Sequence, residues 1–150
     1  MNFSHQFLLF YTALSFYTLG VTLFAQLVVY PLFAQVGSTE YITYHKFYSS
    51  KIPAPVIVPG FACFLLPIGL IFLHPNSVPL WLTLANAVCG LLALVVTVAL
   101  EIPRHYQLET KGKQMVVIQE LIRYNWPRTF GIAGSALLSL AMVIFAFSPV

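Results

Sequence analysis

Charge is what this sequence has least of. Among 150 residues there are 4 acidic and 7 basic side chains, 7% in all, and every acid is a glutamate. A soluble domain carries about 25% charged residues, so an ordinary water-facing surface is excluded. A nucleic-acid-binding face is excluded too, because the net charge of +3 comes from few bases interleaved with acids. Cysteine is nearly as scarce. Cys63 and Cys89 both sit in apolar runs without CxxC spacing, which reads as two small core residues rather than a redox motif. The remaining alternative is a thiol pair at equal depth in a hairpin centred near Asn76. The start, "MNFSHQFLLF", lacks a basic n-region and leads into an apolar run too long for an h-region. No cleavable signal peptide is expected.

What is present is apolar: 59% of the chain, with 15% aromatic residues. Four runs are long enough to cross a bilayer, which takes about 20 residues as a helix: 7–29 (extending toward 33), 56–73, 80–100 and 130–147. Backbone in lipid must satisfy itself, so unbroken runs of this kind mean helices. The expected fold is a single all-α domain over 1–150, an integral membrane four-helix bundle. "HPNSVP" (74–79) is a tight turn that makes a hairpin of spans two and three. All seven bases fall in the segments 34–55 and 101–128, and none in the termini or the 74–79 turn. The positive-inside rule then predicts those two loops in the cytoplasm and both termini outside. The localisation expected is a multi-pass integral membrane protein, in the inner membrane if the source is bacterial.

Residues three or four apart share a helix face. Ser15, Thr18, Thr22 and Gln26 form such a row in span one. Asn86, Gly90, Ala93, Thr97 and Glu101 form one in span three, which His105 continues if the helix survives Pro103. Pro59, Cys63 and Pro67 share a face in span two. Gly131, Ser135 and Ser139 repeat at four-residue spacing in span four. Such rows fit either close helix packing or a polar-lined cavity opening toward the charged end. Asn86 and Gln26 lean toward the cavity, since an amide facing lipid is costly.

The segment 101–129 holds 8 of the 11 charged residues. Glu101 follows an apolar run directly, at the membrane boundary, where a carboxylate is either snorkelling or paired. A symmetrical fold-back of 101–128 would pair it with Arg128 and set Arg104 near Asn125. Val117, Ile118, Leu121 and Ile122 make an apolar side to 115–127, the pattern of a short amphipathic helix lying at the interface. Pro127 predicts a break before span four. Tyr41, His45 and Tyr48 share a face, so His45 and His105 are the two histidines available at the charged end. They read as acid–base groups, as solvated interfacial residues, or as a haem or metal pair; spacing does not choose.

"GVTLFAQLVVYPLFAQVG" with "YHKFYSSKI", then "EIPRHYQL", then "LIRYNWPRT", resembles a four-helix membrane family that includes the fungal anthrone oxygenases. The shared pattern falls here on Pro103, His105, Asn125, Trp126, Arg128 and Thr129. Glu101 and Arg104 stand where that pattern often has Asn or Val. The resemblance implies cofactor-independent oxidation of an apolar aromatic or quinone-like molecule. His45 or His105 would be the catalytic base. Asn125, Trp126 and Arg128 would bind substrate and steady its oxyanion, with Glu101 and Arg104 as further substrate-binding candidates. The expected partners are the lipid bilayer and a lipophilic small molecule, with a homo-oligomer or a larger membrane complex left open. A non-enzymatic accessory subunit of such a complex is the competing reading. No charged residue lies at mid-membrane, which argues against an ion pathway.

Overall fold

The computed structural model describes residues 2–148. Those residues form helices and their connections, without a strand. Four helices are long and apolar enough to cross a bilayer: α1 (Phe3–Phe33), α3 (Pro53–Leu73), α4 (Leu80–Lys111) and α5 (Met115–Phe147). This is the architecture of a multi-pass membrane protein. A shorter helix, α2 (Tyr41–Lys51), lies between α1 and α3. The four long helices form a ring in which α1 neighbours α3 and α5, and α4 neighbours the same two. The tight turn at 74–79 joins α3 to α4 as the sequence suggests.

The small-residue rows set the helix spacing. A Cβ on Gly90 would fall 2.8 Å from the Phe64 carbonyl oxygen, and one on Gly131 would fall 3.0 Å from that of Cys89. The backbones of α3, α4 and α5 therefore meet where only glycine fits. Asn86 and Gln26 turn out to join helices rather than line a cavity. Asn86 accepts from Tyr11 Oη (2.6 Å) and donates to the Ser135 carbonyl (2.9 Å). Gln26 donates to the Ile122 carbonyl (3.1 Å) and accepts from Asn125 Nδ2 (2.7 Å). A buried amide unites three helices because lipid offers it no other partner. Cys63 faces Ser15 of α1, and Cys89 packs against α5 at Gly134. Both thiols are free.

The charged segment differs from its expected form. α5 runs unbroken from Met115 through Pro127, so there is no separate interfacial helix and no break before span four. Proline leaves the Arg123 carbonyl without its helical donor. Gln26 bonds α5 on both sides of that weakened turn's start, to the Ile122 carbonyl and to Asn125 Nδ2. The stripe Val117, Ile118 and Leu121 is buried against Tyr30, Phe33, Tyr41 and Leu108, so it faces protein and not lipid. The 101–128 loop is the prolonged ends of α4 and α5, which turn at Gly112. Its φ of +79° is a conformation glycine adopts without strain. Beside it, Lys113 Nζ donates to the carbonyls of Ala34 (2.8 Å) and Val36 (2.7 Å). An ammonium there satisfies orphan carbonyls at the end of α1 and suits its dipole.

Three long helices contain one widened π turn each: Ala25–Val29 in α1, Pro53–Ile57 in α3 and Thr97–Glu101 in α4. Each closes with an N–H bonded five residues back, Tyr30 to Ala25, Val58 to Pro53 and Ile102 to Thr97. Each ends two residues before a proline: Pro31, Pro59 and Pro103. A proline ring clashes with the carbonyl four residues back, here that of Leu27, Pro55 or Ala99. Widening the preceding turn relieves the clash without ending the helix.

Candidate functional site

The three π turns surround one cavity of about 480 Å³ at the charged end of the bundle, among α1, α3 and α4. That is within the usual range of small-molecule sites, about 300–1,000 Å³. Most of the wall is apolar or aromatic, including Phe24, Tyr48, Phe61 and Phe64. Thr18 and Thr22 of the α1 row reach it, as do Thr97 and Glu101 of the α4 row. Phe24, Ile57, Ile102 and Tyr106 belong to its wall yet are well exposed on the bundle's flank. The cavity therefore communicates with the outer surface of the helices.

Its polar end is built from four residues. Glu101 closes the π turn of α4 and is only 1% exposed. Both of its carboxylate oxygens lack a hydrogen-bond partner. Tyr30 follows the π turn of α1 and is also buried. His105 stands four residues beyond Glu101, on the same face of α4, because α4 passes Pro103 without breaking. Arg128 comes from α5, one residue past Pro127. Its Nη2 points at Tyr30 Oη (3.5 Å), while its Nε is buried and unpartnered.

A chain of hydrogen bonds leads away from this end. Tyr30 Oη lies 3.2 Å from His105 Nε2, His105 Nδ1 lies 3.2 Å from His45 Nε2, and His45 Nδ1 lies 3.5 Å from Ser49 Oγ. Arginine can only donate, whereas a phenol oxygen can donate and also accept, so the chain can run either way; one of the two directions runs outward from Arg128. In that direction Arg128 donates to Tyr30, Tyr30 to His105, His105 to His45 and His45 to Ser49. Each imidazole then gives one hydrogen and takes one, which is the capacity of a neutral ring. His45 is fully buried among Phe33, Tyr41 and Tyr48. Burial pushes its pKa below the usual histidine value, against a smaller opposing effect of Glu109, and keeps the ring uncharged. Burial likewise pushes the Tyr48 phenol up to about 12, with Arg128 pulling the other way.

Of the residues singled out in sequence, the fold gathers Glu101, His105 and Arg128 on the cavity wall, with His45 directly behind His105. It does not bring Arg104, Asn125 or Trp126 to the cavity. Arg104 Nε bonds Glu120 Oε2 at 3.0 Å, and its guanidinium lies 4.5 Å over the Tyr124 ring. Asn125 is fully buried in its bond to Gln26, and Trp126 stacks on Phe130 with ring centres 5.6 Å apart. The clasp between α4 and α5 is therefore Arg104–Glu120. The expected Glu101–Arg128 pair is not within ion-pair distance, since Arg128 spends its Nη2 on Tyr30. Tyr30 and Ser49 were not anticipated. Tyr30 continues the row Thr18, Thr22 and Gln26 by one more turn, which is the signal that points to it. Among the described residues no three His, Cys, Asp or Glu side chains cluster as a metal site. Against known proteins, no family, no curated sequence and no solved structure matches this chain.

Proposed function

We propose that this membrane protein binds an apolar aromatic or quinone-like molecule in the cavity at its charged end, with that end toward the cytoplasm. The observation that carries the reading is the cavity of about 480 Å³, apolar along its wall, with Glu101, His105, Arg128 and Tyr30 gathered at one end. An apolar guest entering from the bilayer would leave lipid without meeting water. Its polar atoms would meet Glu101 and Arg128, which have spare hydrogen-bonding capacity, beside Tyr30 and His105.

Oxidation of the guest in the manner of the anthrone oxygenases would use the same residues. His105, relaying through His45 and Ser49, is placed to take a proton from a guest lying against Tyr30. The carbanion or phenolate so formed would react with dioxygen, and Arg128 would hold the charged oxygen. The test uses purified protein carrying His45→Ala, His105→Ala or Arg128→Ala. Each replacement is expected to lower turnover by about 10²-fold or more, or to weaken retention of a lipophilic aromatic probe measurably. Unchanged retention and turnover in all three would defeat the proposal.

A further inference from the structure

At the polar end of the cavity Glu101 and Arg128 do not satisfy each other, and a second acid, Glu109, lies on the same wall. Glu101 has two buried oxygens without a partner, and Arg128 has a buried Nε without one. Neither Arg128 nor Arg104 lies within 4.0 Å of the Glu101 carboxylate. A guanidinium cannot shed its proton, so the half-buried one of Arg128 calls for an anion nearby, and Glu101 is the buried acid on that wall. A buried polar atom left unpaired costs about 1–3 kcal/mol. The guest that fits best is therefore the one that repairs both vacancies.

Candidate heads can be sorted on that basis. A fatty-acid carboxylate would pair with Arg128 but press a second negative charge on Glu101. An amine would do the reverse. A ketone or quinone oxygen can accept from Arg128, but it leaves both Glu101 oxygens bare. A hydroxyl can donate to Glu101 while its oxygen accepts from Arg128. The surrounding Tyr48, Phe61 and Phe64 favour a flat ring as the bearer of that hydroxyl. Resting on the ligand-binding reading above, we infer that the cavity takes a membrane-soluble phenol or hydroquinone and rejects the corresponding quinone, with Glu101 as the residue that reads the hydroxyl hydrogen. Sites built to bond a hydroxyl discriminate strongly against analogues lacking it.

The experiment compares three guests under anaerobic conditions on the purified wild-type protein: an alkyl-tailed benzohydroquinone, its benzoquinone, and its dimethyl ether. Equilibrium dialysis reads each affinity. The hydroquinone is expected to bind about 10- to 100-fold more tightly than either analogue. In Glu101→Gln the preference over the quinone should collapse, because an amide can donate to a carbonyl. The wild-type comparison stands even if that variant folds poorly. Equal affinity for all three guests overturns the inference and leaves the cavity as a binding site. Binding of none of them overturns both. Equal binding of an untailed hydroquinone overturns the bilayer as the source of the guest.

Discussion

At the scale of single residues, the same amino acid does different work depending on what stands opposite it. Gly90 and Gly20 both lie inside helices, yet only Gly90 meets backbone: the Phe64 carbonyl would be 2.8 Å from an added Cβ, while nothing lies within 4 Å at Gly20. Gly90→Ala should force α3 and α4 apart and destabilise the bundle by about 1–3 kcal/mol. Gly20→Ala should stabilise it by about 0.5–1 kcal/mol. Opposite signs in denaturant unfolding of the two variants check both claims. His45 carries a pH signature. Its folded-state pKa is lowered by burial, so in the window below the unfolded value of about 6.5 the unfolded chain binds more protons than the folded one. The stability it contributes is complete above that value and is lost as pH falls toward 5. His45→Gln cannot take up that proton, so its stability should decline less between pH 7.5 and pH 5 than that of the wild type. Parallel decline of the two proteins would show that His45 is not the group responsible.

At the scale of elements, what periodicity encodes was legible and what local sterics decide was not. The row Ser15, Thr18, Thr22 and Gln26 faces inward, and Tyr41 and His45 are both buried, because a period of 3.6 follows from backbone geometry alone. The four spans and the 74–79 turn were readable for the same reason. The length of α5 was not, since the partner bonded at the turn before Pro127, Gln26, lies 99 residues from Asn125. Arg104 packs on Tyr124, next to Asn125 as the fold-back suggests, but its partner Glu120 was not legible, because it sits across the Gly112 turn. The π turns escaped because each proline slips the register by one residue, about 100° of rotation, without ending the helix. That slip decides which side chains reach the cavity. In α4 the turn ends on Glu101 and carries His105 after it. Pro103→Ala should let the turn relax to ordinary α-helix, swinging one side of it away from the cavity. The expected outcome is unchanged or higher thermal stability, since helix-interior proline costs about 3 kcal/mol, together with weaker binding of a lipophilic aromatic probe. Loss of stability with unchanged binding would mean that the π turn does not position the wall.

At the scale of the whole molecule, length and charge agree about where the membrane ends. α4 and α5 contain 32 and 33 residues, which at 1.5 Å per residue is about 48–50 Å of helix. A bilayer's hydrocarbon is about 30 Å thick, so about 12 residues of each helix must project beyond it. The charged residues mark the projecting end: Arg104, Glu109, Lys111, Lys113, Glu120 and Arg123 all lie between 102 and 127. That end has its own core of Phe33, Tyr41, Leu108, Ile118 and Leu121, distinct from the one around Tyr11, Leu70, Leu82 and Met142 deeper in the bundle. The cavity lies where the two meet, which is where a guest can keep its apolar body in lipid and its polar atoms against protein. The proposed orientation then makes a direct prediction. With Cys63 and Cys89 replaced by Ala, a single cysteine at exposed Asn76 should react with a membrane-impermeant maleimide added to intact cells. One at exposed Lys111 should react only after the cells are permeabilised. All seven bases lie in segments at the end opposite Asn76, and lysine and arginine near helix ends are retained on the cytoplasmic side. Labelling at Lys111 in intact cells would reverse the orientation and place the cavity's polar end outside.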